Sequence, residues 1–283
     1  MVKKIIACAD IHFPTFQKID ELEAQLEKFY AECVRIVREE GGPEHVRIAV
    51  AGDIFHNKLG ITNESILAVY KFFKRLNDIA KTIVIIGNHD FLMNNTDRVD
   101  SLSPLFEIGD LPNVIFLDKE LGKKSGCYVD DNVVWCLYSS FSAFSQPDIE
   151  SNLIKYPKDK YVYVGIIHGS INGSIMNTTG RLVTKDLSPE IFKGCDCVIA
   201  GHIHKRQEIN ECGIPIVYCS SIVQKDMGET VSGHGYVLWD IDNPMGIPQY
   251  EAIDIPNEDG GFYKFKISSP DDIDEDKEEI INL

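Results

Sequence analysis

The sequence predicts an α/β fold, a four-layer α/β/β/α sandwich in which two mixed sheets pack face to face and are flanked by helices. This prediction has two grounds. In the first part of the chain, short β-like apolar runs alternate with segments of helical periodicity, as they do in parallel βα units. Further along, many short apolar runs are separated by turn residues, which is typical of additional β-sheet.

Three βα units are predicted at the start of the chain. Apolar residues recur at helical spacing over 19–37 and 66–76, and Thr62 or Asn63 can cap the second helix. The predicted strands are residues 3–9, 46–51 and 82–86. Strands joined by helices pair in parallel through right-handed crossovers. We therefore expect the carboxyl ends of these strands along one edge of a sheet.

The middle of the chain has a different pattern. Short apolar runs typical of antiparallel sheet occur at 114–117, 127–129 and 133–137. A buried strand is predicted at 161–167, followed at 170–185 by an ordered polar loop whose Arg181 and Lys185 are available to phosphate. The runs at 197–200, 207–210, 214–219 and 235–241 predict a second sheet.

Apolar density falls after Pro244. We therefore predict one domain over 1–245, followed over 246–283 by a partial or minimal capping segment with an acidic, flexible tail. Within that segment, residues 263–267 are a candidate first strand of a cap.

Composition narrows the functional class. The net charge of −16 excludes a protein that coats nucleic acid with a basic surface, because such binding requires many lysines and arginines. No apolar run has the length of a membrane span, and no signal peptide is recognisable. Eight cysteines without the spacing of zinc or redox motifs predict buried thiols in a reducing compartment. A cytoplasmic protein without membrane contact is expected.

Polar residues follow the apolar runs at five places: Asp10-Ile11-His12, Gly52-Asp53, Asn88-His89-Asp90, His168 and Gly201-His202-Ile203-His204. Each motif alone has an ordinary structural explanation, since a Gly-Asp pair is often a turn and a histidine after a strand is often a core residue. Together they form a set of carboxylate, amide and imidazole ligands that suits manganese, iron or zinc. These are more ligands than one tetrahedral ion can use. We therefore predict two divalent ions that share a carboxylate.

Two such ions would hold a bridging hydroxide as the nucleophile for phosphoester hydrolysis. His89, between Asn88 and Asp90, is a candidate proton donor to the departing oxygen. Asp90 is a further catalytic candidate, with the alternatives that it orients His89 or caps a turn. His56 lies on a loop, where a histidine often only packs.

In this order, the five motifs resemble those of the calcineurin-like metallophosphoesterases, over roughly residues 3–241. The resemblance implies that one metal is held by Asp10, His12, Asp53 and His204, with Asp53 bridging, and the other by Asn88, His168 and His202. It also implies that His89 donates a proton or stabilises the transition state.

Within that superfamily, Gly52-Asp53-Ile54-Phe55-His56 and the segment from Gly201 to Gln207 are similar to DNA repair and recombination nuclease subunits of the SbcD type, above all to those of phages. The similarity implies that His56 assists exonuclease action. It further implies manganese as the metal, DNA and an SbcC-type ATPase as partners, and pairing of two subunits through helices near the site. In such nucleases a capping domain and an ATPase-docking segment follow the core. In this sequence only a short stretch follows the core.

We therefore predict a manganese-dependent DNA phosphodiester hydrolase, an exonuclease or single-strand endonuclease of repair or recombination. One alternative is a small-molecule phosphodiesterase or phosphomonoesterase of the same superfamily, and another is a non-catalytic scaffold with its fold. A protein phosphatase is disfavoured, because that branch resembles Gly-Asp-x-x-Asp-Arg-Gly and the stretch from Gly52 to Lys58 lacks the arginine.

Overall fold

The computed structural model describes residues 1–15, 18–176, 180–242, 246–257 and 261–262. In these ranges the chain forms two six-stranded sheets. The strands of the first sheet are β1 (Lys4–Cys8), β2 (Val46–Ala51), β3 (Thr82–Ile85), β4 (Val114–Phe116), β11 (Gly235–Asp240) and β12 (Gln249–Asp254). Those of the second are β5 (Gly126–Asp130), β6 (Val133–Tyr138), β7 (Val162–His168), β8 (Cys197–Gly201), β9 (Gln207–Ile209) and β10 (Ile216–Tyr218).

The first sheet has the order β12-β11-β1-β2-β3-β4. Strands β1 to β4 are parallel, as predicted for the first three, while β11 runs antiparallel to β1 and β12 antiparallel to β11. The second sheet has the order β5-β6-β7-β8-β10-β9, with parallel pairing from β6 to β10 and an antiparallel strand at each edge. Both sheets are therefore mixed.

The antiparallel pairing predicted for the middle of the chain is only partly correct. The strand at Val114–Phe116 pairs in parallel with β3, and β6 pairs in parallel with β7. Of these pairings, only that of β5 with β6 is antiparallel as predicted. A short helix, α3 (Ser103–Ile108), precedes β4 and makes the connection from β3 another crossover. A run of three apolar residues contains no signal about its partner, which explains the error.

Two long helices cover the outer face of the first sheet: α1 (Ile19–Glu39) and α2 (Asn63–Ile79). Helix α2 begins with a capping box in which Thr62 and Ser65 each accept the other's backbone N–H. On α1 the buried side chains Leu22, Leu26 and Phe29 recur at helical spacing and pack on the face of β1 that carries Ile6 and Cys8.

A second apolar layer lies between the sheets. Alternate residues of β1 and β2, such as Ile5, Ala7 and Ala49, face the second sheet, where Trp135 is fully buried. A third apolar layer lies on the outer face of the second sheet, under the short helix α5 (Ile149–Lys155) and a 3₁₀ turn at Pro189–Phe192. The α/β/β/α order of layers is confirmed, although the outermost helical layer is thin. The remaining helix, α4 (Leu117–Glu120), follows β4.

Strand β12 lies beyond the domain boundary predicted at 245 and 246, and it extends the first sheet through a register that pairs Gly235 with Asp254. The candidate cap strand at 263–267 and the acidic tail lie outside the described residues. The described part of 170–185 is ordered by backbone bridges between Ile171 and Leu187 and between Ile175 and Leu182. Among the described helices, none has the length and apolar character needed to cross a bilayer.

A buried ion pair joins the two sheets. The guanidinium of Arg47 on β2 donates from Nε to Asp130 at the end of β5, over 2.5 Å, and Lys81 donates to the other carboxylate oxygen over 2.8 Å. Burial alone would raise the pKa of Asp130, but the hydrogen bonds from Arg47 and Lys81 lower it below its usual value. The pair therefore keeps a charged carboxylate at the seam between the sheets.

We expect Asp130→Asn to lower the free energy of unfolding by about 3 kcal/mol, because removing one partner leaves the Arg47 guanidinium buried without its counter-ion. The measurement is urea unfolding followed by circular dichroism at neutral pH. The same substitution at the exposed Lys74–Asp78 pair, Asp78→Asn, is the control and should cost much less. Equal losses in the two variants would contradict a special contribution of the buried pair.

Candidate metal centre

The structure brings all seven predicted ligands together where five strands end. The loops after β1, β2 and β3 of the first sheet meet those after β7 and β8 of the second. Within the described residues, three overlapping groups have ligand atoms within 4.8 Å of one another: Asp10, His12 and His204; His12, Asp53 and His89; and Asp53, His168 and His202. Asn88 joins the last group, because its Oδ1 lies 2.7 Å from His202 Nδ1.

The backbone at the site is held in left-handed conformations. Asp10, His12, Asp53 and His202 have φ angles of 54°, 49°, 52° and 94°. Such conformations are uncommon for residues with a side chain and persist only where surrounding contacts impose them. Here the amide of Asp10 donates to Gly52 O over 3.1 Å, and that of His12 to Asp53 O over 3.0 Å. The loops after β1 and β2 therefore fix each other.

Two glycines are required by close approach of neighbouring chain. A Cβ atom at Gly87 would collide with the backbone nitrogen and carboxylate of Asp53, and one at Gly201 with the carbonyl oxygen of Ala51. Glycine at Gly87 lets the loops after β2 and β3 approach each other, and glycine at Gly201 lets the second sheet approach the end of β2. The backbone thus contributes to the convergence of the ligands.

On the Asn88 side of the cluster, a ring nitrogen of His168 faces two oxygen atoms. His168 is buried, and its Nδ1 donates to the carbonyl oxygen of Ala51 over 2.8 Å. In neutral His168 the lone pair is then on Nε2, which faces Asp53 Oδ2 at 3.1 Å and Asn88 Oδ1 at 3.2 Å. Burial would lower the pKa of His168, but the Asp53 carboxylate raises it to about 9. The surroundings of His168 Nε2 therefore favour a positive charge.

On the Asp10 side, a ring nitrogen of His204 faces other ligand atoms in the same way. His204 Nδ1 lies 2.5 Å from Glu229 Oε1, which accepts its proton in a hydrogen bond. His204 Nε2 then faces His12 Nε2 at 3.1 Å and Asp10 Oδ1 at 3.7 Å. Metal-binding histidines usually donate their other ring N–H to a carboxylate or backbone carbonyl. His204 and His168 both do so, and the oxygen and imidazole donors suit manganese, iron or zinc.

Asp53 lies between the two groups. Its Oδ2 is 3.1 Å from His168 Nε2 and 3.6 Å from His12 Nε2, while Oδ1 accepts the amide proton of His89 over 2.7 Å. Burial would raise the pKa of Asp53, but the neighbouring imidazoles, His168 first, lower it well below its usual range. This position is the one that a carboxylate shared by two ions requires.

His89 and His56 lie at the cluster. The ring of His89 is 4.8 Å from that of His12, and its Nδ1 donates to the carbonyl oxygen of His56 over 2.5 Å, so that Nε2 remains for a ligand. The exposed His56 ring lies 6.0 Å from His89 and 5.6 Å from His12. The structure therefore groups both histidines with the ligands.

Asp90 is placed differently. Its carboxylate is buried and accepts backbone N–H groups of Ile54, Phe55 and Gly87 at 2.8 to 3.2 Å. Burial raises the pKa of Asp90 to about 7. The side chain therefore ties the loops after β2 and β3 together behind the cluster, and a catalytic role for Asp90 stays a prediction.

Two residues of the site were not predicted as functional. Glu229, which orients His204, and Lys225, whose ammonium donates to the carbonyl oxygen of Ile11, both lie between β10 and β11. The amide of Lys225 also donates to Glu229 Oε2 over 2.8 Å. This loop has no apolar periodicity, so no local pattern marks its side chains.

Comparisons with known proteins show the family of this chain. Residues 3–206 match the family model described as calcineurin-like phosphoesterase. The chain is 32% identical over 272 residues to an uncharacterized protein of Acanthamoeba polyphaga mimivirus, an alignment that covers 94% of this chain and 19% of the relative. It is 25% identical over 247 residues to YhaO, an uncharacterized metallophosphoesterase of Bacillus subtilis, covering 84% of this chain and 57% of the relative.

The chain therefore spans less than two thirds of the length of either relative. Among solved structures, a dimetal phosphatase from Danio rerio aligns with a TM-score of 0.48 and 11% identity, over 84% of this chain and 92% of that one. The family match extends over most of the chain and includes all seven predicted ligands, from Asp10 to His204. The protein belongs to the calcineurin-like phosphoesterase family.

Proposed function

We propose that this protein is a two-metal phosphodiester hydrolase that acts on DNA, with manganese as its metal. The observation that carries the proposal is the position of His56. This histidine, which the resemblance to SbcD-type nucleases connects with exonuclease action, has its ring 5.6 Å from His12 and 6.0 Å from His89. A loop histidine that merely packed would have no reason to stand exposed beside the metal ligands.

The ligand sets follow from the two halves of the cluster. Asp10, His12, Asp53 and His204 would hold one metal, and Asp53, Asn88, His168 and His202 the other. The bound metals supply positive charge for the phosphoryl oxygens and activate the attacking water. The chain's own part is to orient: Glu229 holds His204, and the Ala51 carbonyl holds His168.

His89 is the proposed proton donor. Because its Nδ1–H is engaged by the His56 carbonyl, Nε2 of the protonated ring is the atom that can deliver a proton to the departing oxygen. The carbonyl also fixes the orientation of the ring. His56 thereby acts through its backbone as well as through its exposed side chain.

A small-molecule phosphodiesterase or phosphomonoesterase is the second candidate. The net charge of −16 favours this candidate, because a strongly acidic protein can bind a long polyanion such as DNA only through local contacts. A non-catalytic scaffold is disfavoured, since all seven ligand side chains converge. An SbcC-type ATPase partner and pairing of subunits belong to the nuclease proposal and rest on the resemblance alone.

The first test is hydrolysis of a 3′-labelled single-stranded oligonucleotide with Mn²⁺, beside bis-p-nitrophenyl phosphate and a cyclic nucleotide. We expect all cleavage to stop with chelator, and Asp53→Asn to lose more than about a hundredfold in rate while its circular dichroism is preserved, because the shared carboxylate is removed. Hydrolysis of the small diesters without cleavage of the oligonucleotide would favour the small-molecule phosphoesterase. An unchanged rate in Asp53→Asn would refute the mechanism.

His89→Ala should separate proton donation from metal chemistry. DNA releases a poor leaving group that needs protonation, whereas p-nitrophenolate does not. We expect kcat to fall by about 10²–10⁴-fold on the oligonucleotide and much less on bis-p-nitrophenyl phosphate. Equal losses on both substrates would show that the His89 side chain has another role, such as binding a metal beside His12 and Asp53.

Glu229→Gln should weaken metal binding without removing a ligand. The loss of the charged acceptor for His204 Nδ1 is expected to reduce Mn²⁺ affinity by about 10–100-fold, with activity recovering at high Mn²⁺. The measurement is activity against Mn²⁺ concentration, with the exposed Glu211→Gln as the matched control. Identical Mn²⁺ dependence in the two variants would exclude the orienting role.

A further inference from the structure

A cavity of about 180 Å³ adjoins the cluster and shares His12 and His56 with it. Its other walls come from residues before and at the start of α1, from the loop between β10 and β11, and from Asn257, Gly261 and Phe262 after β12. Leu22, Val223 and Phe262 supply apolar surface, and Lys225 supplies positive charge. Small-molecule sites typically combine an apolar lining with a few placed polar groups.

The wall formed after β12 is fastened to the rest of the protein. The Gln224 side chain accepts the amide proton of Phe262 over 2.6 Å and donates to its carbonyl oxygen over 3.0 Å. Nearby, Gln25 of α1 donates to Asn257 over 2.8 Å. The Phe262 ring is therefore held at the cavity, with the Lys18 ammonium 4.4 Å from its centre.

Lys225 introduces a positive charge with no partner of opposite charge in contact. Its ammonium donates to the carbonyl oxygen of Ile11, and the carboxylates of Glu229 and Asp10 attract it without forming an ion pair. It stands beside His12, a ligand of the cluster, where two divalent ions would repel it. A bound anion between the ammonium and the metals removes this repulsion.

We propose that this cavity is a nucleotide subsite, in which Lys225 contacts the phosphate at the metal cluster and the surface of Phe262, Leu22 and Val223 receives the attached nucleoside. The apolar surface with its aromatic ring suits a nucleobase, since bases stack on aromatic side chains without regard to sequence. The inference rests on the proposed function and adds to it a preference for nucleotide over other organic groups. It makes Phe262 a specificity-determining residue.

The test compares two diesters with the same leaving group, the p-nitrophenyl ester of thymidine 5′-monophosphate and methyl p-nitrophenyl phosphate, in Mn²⁺. We expect the unsubstituted protein to have the higher kcat/KM on the nucleotide ester. Phe262→Ala should lower the ratio of the two kcat/KM values by about tenfold. Phe262→Leu keeps apolar bulk without a ring, so its preference should lie between those of the unsubstituted protein and Phe262→Ala. Tyr161→Ala, which removes an aromatic ring packed edge-on against Tyr156, is the control and should keep the preference.

Calorimetric titration with thymidine 5′-monophosphate and with inorganic phosphate provides a readout that does not need turnover. The nucleotide should bind more tightly than phosphate, and Phe262→Ala should abolish the difference. If neither diester is hydrolysed but this difference is found, the proposed function fails and the subsite stands. If the diesters are hydrolysed with the same preference in every variant, or if nucleotide and phosphate bind equally well, the subsite is refuted.

Discussion

Two buried carboxylates, Asp10 and Asp53, lie among imidazoles whose lone pairs face them, and this concentration of electron-pair donors is the constraint on which the rest of the structure depends. Such a group is costly inside a protein unless a proton or a cation lies within it. Several backbone features bring the donors close: left-handed residues at strand ends, glycines where neighbouring loops and the two sheets approach each other, and the three amide groups held by Asp90.

The orientation of the ligands comes from their partners outside the cluster. A carbonyl of β2 holds His168, the carboxylate of Glu229 holds His204, and the carbonyl of His56 holds His89. Each contact places a proton on Nδ1 and leaves Nε2 for chemistry. The three histidines thus share one local design, although they come from different strands and serve different proposed roles.

Much of the fold and of the ligand set could be predicted from the sequence, because strand-end position and parallel pairing are local signals with a long-range consequence. Asp10, Asp53 and Asn88 each end a buried run, and parallel strands must bring such ends together. Glu229 and Lys225 could not be found in this way, since their approach depends on how an aperiodic loop crosses the cluster. The pairing of β4 was mistaken for a similar reason, because three apolar residues do not specify a neighbour.

The cluster draws its ligands from both sheets: Asp10, His12, Asp53 and Asn88 from the first, His168, His202 and His204 from the second. Each ion would therefore act as a cross-link between the two halves of the sandwich. Because the ligands span nearly two hundred residues of chain, the complete set can form only after both sheets have docked. Ions that bind this set add their binding free energy to the docked state, so metal occupancy and the cooperativity of folding are coupled in this protein.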